Sequence, residues 1–242
     1  MQPLRIERKD CSFMLFPDDV GLNIQGYVKD TDTAKQIIAD AFHYLWYVEH
    51  IGSRKNIFWF GKRLIKNPMD LWIYQEIFSE VKPDVVIETG TYEGGSALYF
   101  ASLLDILRKG IVLTIDINKS SDLPNHGRIH YLTGSSLDKN VIKAVEAAIK
   151  HSEVVLVILD SLHSTNHVLQ ELEIYSKYVT KGSYLIVEDT NLAGNPVFAG
   201  NAYGGPMLAV KKFLKNNKDF VADKERERFR MTFSPNGFLR RV

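Results

Sequence analysis

The chain has 242 residues, with 30 Lys and Arg against 29 Asp and Glu, a formal charge of +1, 45% hydrophobic residues and a single cysteine. A chain of this length buries roughly 70% of the surface its unfolded form exposes, so it needs no disulfide or structural zinc, and Cys11 alone excludes an intrachain disulfide or a multi-cysteine metal site. Charges of both signs are interleaved, which leaves no broad basic field for nucleic acid or a membrane surface and points to a small-molecule partner.

The N-terminal MQPLRIERKDCSFMLF has no apolar signal core, and no run approaches the roughly 18 apolar residues of a membrane span, so a soluble, cytoplasmic chain is expected. Two aromatic-rich amphipathic segments follow, Thr33 to His50 and Pro68 to Glu80, the second ending before the Lys82-Pro83 breaker. They predict a helical prefix over residues 1–80, packed on a core domain over 81–242. Within that core, β-branched runs at Val85 to Ile87, Ile111 to Ile115, Val154 to Leu159 and Tyr184 to Val187 lack polar alternation, as strands buried on both faces of a parallel sheet do. Between them Ser96 to Leu107, Lys139 to Lys150 and His167 to Tyr178 carry apolar residues at helical spacing. Alternating strand and helix predicts a doubly wound, Rossmann-like α/β layer. At the end of the chain RFRMTF and GFLRRV flank Ser234-Pro235-Asn236-Gly237, a hairpin signal. A parallel sheet closed by an antiparallel hairpin is the ordering of the class I methyltransferase fold, by analogy of topology.

Three constellations carry chemistry. In VVIETGTYEGGSALYF a buried strand ends at Glu88, and Thr89, Gly90, Tyr92, Gly94, Gly95 and Ser96 form a tight loop that opens a helix. Glycines there admit close approach of a ligand, and the helix N-terminus offers free N–H groups. The spacing E-x-G-x-x-x-G-G differs from dinucleotide and triphosphate loops and resembles the first motif of S-adenosylmethionine enzymes, in which the strand-end acid helps hold the methionine amino group. A plain glycine-rich turn is the alternative. The strand IVLTIDI ends in Asp116, placed to accept two hydrogen bonds from a ribose diol or simply to cap the strand end. In LTGSSLD, Ser135 and Ser136 are placed to read an adenine edge, unless Ser136 or Asp138 merely caps the next helix.

The third constellation lies at two adjacent strand ends: Asp160 after VVLVILD, and Glu188 with Asp189 after YLIVEDTN. Three carboxylates at one sheet edge repel each other unless a hard divalent cation neutralises them, and oxygen-only ligands suit magnesium. Separate solvated caps are the alternative. His163, three residues beyond Asp160, is placed to act as general base beside such an ion, while a lone loop histidine is otherwise a surface residue. His167 is expected to be structural. The segment Leu192 to Pro206, with four glycines and two prolines, is long enough for a lid or a plain surface loop.

The runs NPMDLWIYQEIF, ETGTYEGGSALYFASL, LTGSSLD, LDSLHSTNHVLQELEIYSKYV and GSYLIVEDTN, in this order from about residue 57 to FSPNGFLRRV, resemble the cephalosporin hydroxylase and rhamnosyl O-methyltransferase family of class I methyltransferases. The resemblance implies S-adenosylmethionine at the glycine loop, Mg2+ held by Asp160, Glu188 and Asp189, and His163 as catalytic base beside Asp160. It also implies a hydroxylated acceptor such as a sugar or glycoside, and a homo-oligomer to which the N-terminal segment contributes. No two-His, one-carboxylate iron pattern is present, so hydroxylation is not carried over. Two rivals remain: a methyltransferase or accessory protein acting on a β-lactam nucleus, and an NAD-type oxidoreductase in which Asp116 holds a different ribose.

Overall fold

The computed structural model describes residues 4–8, 11–15, 32–52, 57–118, 120–198 and 204–242. The chain divides into two units, Met1–Phe42 and His43–Val242. The first holds an antiparallel hairpin of β1 (Leu4–Arg8) and β2 (Cys11–Leu15), with Leu4 opposite Leu15, and the first part of α1 (Asp32–Trp46). The expected helical prefix therefore begins with strands. In the second unit α1 runs on into a π-helical stretch, Tyr47–Gly52. A short hairpin follows, β3 (Phe58–Trp59) against β4 (Lys62–Arg63), and then α2 (Pro68–Val81).

Helix α2 starts where its chemistry dictates: Pro68 stands at the first helical position, and Asn67 caps the helix, its side-chain oxygen accepting from Met69 N at 3.1 Å. The core alternation comes next, as β5 (Val85–Thr89), α3 (Gly95–Leu107), β6 (Ile111–Asp116), β7 (Ile129–Thr133), α4 (Lys139–Ile149), β8 (Val155–Leu159), α5 (Thr165–Tyr175) and β9 (Tyr184–Val187). It closes with α6 (Gly205–Asn216), β10 (Phe220–Ala222) and β11 (Phe238–Arg241). The seven strands lie in the order β10-β11-β9-β8-β5-β6-β7, with β9 to β7 parallel and the last two antiparallel.

Strand parity divides the core into two layers. Val85, Ile87, Val155, Val157, Leu159, Leu185 and Val187 point to α4, α5 and α6 and pack with Val145, Leu172 and Phe213. Val86, Leu156, Ile158, Tyr184 and Ile186 point the other way, to Tyr74, Ile77 and Phe78 of α2 and to Phe100 and Leu104 of α3. Each fully buried aliphatic side chain in these layers contributes about 1.5–3 kcal/mol, and an alternating pattern could not have filled both faces.

The C-terminal strands differ from the expected hairpin. β11 pairs with β9 and with Phe220–Ala222, whereas Arg228–Phe233 is not a strand. That segment is drawn onto the start of α2 instead: Asn67 Nδ2 donates to Met231 O at 3.0 Å and Phe233 N donates to Asp70 Oδ2 at 2.7 Å. Phe233 is buried against His43, Tyr47 and Trp46, with ring centroids 5.3, 5.1 and 5.8 Å away. Its apolar pattern satisfies an aromatic cluster rather than a ladder. Of the expected lid, residues 199–203 lie outside the described residues, Gly204 is the N-cap of α6, and 205–206 form its start.

Candidate active site

Register brings the strand-end residues to one level. Thr89 pairs with Ile115 on one side and Leu159 on the other, and Leu159 pairs with Val187, so Gly90, Asp116, Asp160 and Glu188 follow at the same height along the carboxyl edge. The sheet order reverses direction at β5, whose neighbours are β6 and β8, and such a switch point opens a crevice. A cleft of about 590 Å³ occupies it, within the range of small-ligand sites.

The glycine loop is built for close approach. Gly90 has φ +92, and a Cβ there would lie 1.9 Å from the Asp160 carbonyl oxygen. Gly90 N donates to Ile115 O at 2.8 Å, and Asp160 N donates to Thr89 O at 3.0 Å, so loop and strand ends lock together. Gly94, at φ +75, is the N-cap of α3. Asp116 accepts from Tyr92 N and from Asn118 N, each at 2.9 Å, and faces the cleft. Gly90, Tyr92, Gly95, Ser96, Asp116, Ser135 and Ser136 line the cleft with Asp160, His163 and Asp189. The helix-capping alternative falls to Asp138, whose carboxylate accepts from Asn140 N at 2.7 Å.

Glu88 is placed differently from expectation. Parity sets it on the Val86 face beneath α3, where Ser96 Oγ donates to one carboxylate oxygen at 2.5 Å and Thr114 Oγ1 to the other at 2.6 Å. It is fully buried, does not line the cleft, and burial pushes its carboxyl up to about 7 against those hydrogen bonds and Lys66. Its role in this geometry is to tie β5, β6 and the start of α3 together beneath the loop. Thr89 and Gly94 likewise lie behind the lining.

The acidic cluster contains a residue that sequence reasoning missed. Lys66, with 2% of its side chain exposed, places Nζ 2.7 Å from Asp160 Oδ2 and 2.9 Å from Glu188 Oε1. Tyr74 OH also donates to Glu188 Oε1. Burial alone would lower the Lys66 pKa, but Asp160 and Glu188 outweigh it and hold the ammonium charged. Burial raises the carboxyls of Asp160, Glu188 and Asp189, while Lys66 and, for Asp160 and Asp189, His163 oppose that shift. His163 Nε2 lies 3.0 Å from Asp189 Oδ2. Burial would lower the imidazole's pKa, yet Asp189, Asp160 and Glu188 together hold it above the ordinary histidine value.

Asp160, His163 and Asp189 each present a donor atom within 4.8 Å of the others, a set that fits one divalent ion. Glu188, the third of the expected carboxylates, lies beside that set, with its Oε1 held by Lys66 and Tyr74. Asp189 has φ +56, uncommon for a residue without glycine's freedom, and takes the chain sharply away from β9 at this point. His167, expected to be structural, lines the cleft: its Nε2 is 3.1 Å from Ser161 Oγ and 3.4 Å from Ser136 Oγ. Arg63 also lines it, and among the described residues its buried Nε has no hydrogen-bond partner.

An α/β protein with a mostly parallel sheet, antiparallel C-terminal strands and a cleft over the β5–β8 switch point has the class I methyltransferase fold. Residues 52–242 match the family described as Rhamnosyl O-methyltransferase/CmcI. The chain is 36% identical over 210 residues to the Rhamnosyl O-methyltransferase of Mycobacterium tuberculosis, covering 84% of each chain. Among solved structures, apo CmcI matches with a TM-score of 0.59 at 22% identity, covering 77% of this chain and 76% of that one, and CmcI with Mg and SAM matches over the same shares with a TM-score of 0.56. The chain therefore belongs to the rhamnosyl O-methyltransferase/CmcI family and is an S-adenosylmethionine-dependent O-methyltransferase. Family membership displaces the NAD-type alternative. No helix among the described residues is long and apolar enough to cross a membrane.

Proposed function

We propose that this chain methylates a hydroxyl of a sugar or glycoside, with S-adenosylmethionine bound across the glycine loop and Mg2+ held by Asp160, Glu188 and Asp189. The observation that carries the reading is a single cleft with Asp116 and the Ser135–Ser136 loop at one end and the Asp160–His163–Asp189 cluster at the other. The chain's similarity to a protein named for rhamnosyl O-methylation supports the sugar acceptor.

On this reading Asp116 accepts from the ribose diol, Ser135 and Ser136 meet the adenine edge, and the guanidinium of Arg63 at the cleft wall faces the methionine carboxylate. Mg2+, when bound, supplies Lewis acidity that lowers the pKa of the acceptor hydroxyl. His163 does the proton work: its Nε2–H donates to Asp189, which fixes the tautomer and leaves Nδ1 as the atom that receives the hydroxyl proton. Lys66, held charged by two carboxylates, cannot accept that proton. Methyl transfer from a sulfonium neutralises charge, so the remaining task of the cleft is to exclude water and hold donor carbon and acceptor oxygen in line, about 3–3.5 Å apart. A second reading, favoured by the three-atom donor set, makes His163 a ligand and leaves the base to a carboxylate.

The test is to incubate the protein with S-adenosylmethionine, Mg2+ and a rhamnosyl glycoside, and to look for a one-methylene mass gain that a chelator abolishes. Full activity after metal stripping would reject the metal role, and absence of any methylated sugar from a panel of glycosides would reject the acceptor class.

A further inference from the structure

Helix α5 carries a polar stripe that the methyl-transfer chemistry leaves unused. His167, Glu171 and Tyr175 recur at four-residue spacing and so share one face of the helix. That face meets the loops at the Ser135–Ser136 end of the cleft. Tyr175 OH donates to Ser136 O at 2.7 Å and fixes the loop from behind. Glu171 is fully buried, and its Oε1 accepts from Ser161 Oγ at 2.7 Å. Among the described residues its Oε2 has no hydrogen-bond partner. A buried acid with an unmet oxygen costs stability, so packing alone does not account for Glu171.

The direction of the hydrogen bonds gives the stripe a polarity. Ser161 has one hydroxyl hydrogen, and Glu171 takes it. Ser161 Oγ therefore meets His167 Nε2, 3.1 Å away, as an acceptor, which places a hydrogen on Nε2. Ser136 Oγ at 3.4 Å and Glu171 Oε1 at 3.5 Å complete the acceptors around that atom. The Nδ1 lone pair is then what the imidazole has left for a ligand, on a ring that lines the cleft.

We propose that His167 recognises the base of the cofactor and that Glu171 is the positioning residue behind it, the pair presenting an acceptor to the 6-amino group of adenine. This rests on the cofactor placement given above, with the base at Ser135 and Ser136. Adenine carries an N–H donor at that position, whereas hypoxanthine, its deaminated counterpart, carries a carbonyl oxygen. Two acceptors facing each other leave both unpaired. A site that hydrogen-bonds a ligand group rejects an analogue lacking it far more strongly than an apolar pocket does, so α5 makes the cleft selective for the adenosine form of the cofactor.

The experiment measures by calorimetry, on the full chain, the affinities of S-adenosylhomocysteine and S-inosylhomocysteine, which differ only at C6 and in the hydrogen on N1. The parent is expected to prefer the adenosine compound by at least about thirtyfold. Glu171→Gln, whose amide can donate to Ser161 and so reverse the polarity, should cut the preference to about threefold or less. His167→Phe keeps a ring without an acceptor and should do the same, and this partly exposed position carries the test if Glu171→Gln does not fold. A loosened cleft would weaken both compounds alike, so the ratio of affinities separates recognition from a structural role. A parental ratio in the folded variants, or a parent that binds both compounds equally, would overturn the proposal. Asp116→Ala should weaken both compounds by about tenfold with the ratio unchanged. If it weakens neither, the cofactor placement itself has failed and the proposal with it, whereas a parental ratio in the α5 variants beside a weakened Asp116→Ala overturns only the role given to His167 and Glu171.

Discussion

Substituting Gly90 by alanine tests whether the cofactor loop and the acidic cluster form one mechanical unit. The added Cβ would stand 1.9 Å from the Asp160 carbonyl oxygen, 2.7 Å from its carbonyl carbon and 3.2 Å from Ser161 Cα, all backbone atoms that cannot rotate away. Relief requires the Asp160 peptide to retreat by about 1 Å, an overpacking cost of about 1–3 kcal/mol. To this is added about 1–2 kcal/mol for holding an L-residue at φ +92. Gly182 supplies the control, with φ +84 and nothing within 4 Å of where a Cβ would stand, so its alanine variant carries the conformational cost alone. Urea denaturation should therefore show Gly90→Ala destabilised by about 2–5 kcal/mol and Gly182→Ala by about 1–2 kcal/mol. Because Asp160 N is hydrogen-bonded to Thr89 O, the retreat also displaces the metal-side carboxylate, and a shift of about 1 Å costs on the order of 100-fold in rate. Calorimetry should register weaker binding of both S-adenosylhomocysteine and Mn2+. A Gly90→Ala protein as stable as Gly182→Ala, with both affinities intact, would refute the coupling.

Two further substitutions probe different parts of the centre. His163→Ala should lose about 10²–10⁴-fold in kcat with S-adenosylhomocysteine affinity retained, and a saturating rate within about threefold of the parent would remove His163 from the base role. Asp70 is buried, and burial pushes its carboxyl up to about 7 despite hydrogen bonds from Thr232 and Phe233. An acid that keeps its proton in the folded state contributes stability that is complete below its unfolded pKa and is lost as pH rises through the folded value. Stability should therefore fall by on the order of 3–4 kcal/mol between about pH 4 and pH 7, and Asp70→Asn should flatten that slope. Equal slopes in urea denaturation across the range would reject the assignment.

Much of the fold was legible because its signals are local. The runs at residues 85–87, 111–115, 154–159 and 184–187 lacked polar alternation, and all four became interior strands buried on both faces. The C-terminal hairpin was legible as antiparallel pairing at the sheet edge, but its partner strand was not. RFRMTF carries a strand-like composition, and what decides its fate is Asp70 and Asn67, more than 160 residues earlier in sequence, which capture its backbone. β-propensity describes fitness for a half-buried surface, and an aromatic cluster around Phe233 offers one without a ladder.

The acidic centre shows where such reading stops. The three strand-end carboxylates and His163 were visible as a constellation because each ends or follows an apolar run, and their mutual repulsion pointed to a cation, with separate solvated caps as the alternative. What could not be seen was that part of that cation is built in. Lys66 lies 94 residues from Asp160 and 122 from Glu188, in a short link between a hairpin and a helix cap, and a lysine is by default a solvated residue. One signal was present in principle. Counting by twos from Leu156 and Ile158 to Asp160, and from Tyr184 and Ile186 to Glu188, sets both acids on the face covered by α2 and α3, while Asp189 has the opposite parity. Two buried acids facing one helical layer need a basic or hydrogen-donating residue from that layer, and around the start of α2 the sequence offers Lys66 and Tyr74. Parity thus separates Glu188, which answers to the protein's own lysine, from Asp189, which answers to His163 and the cleft, although the two are adjacent in sequence.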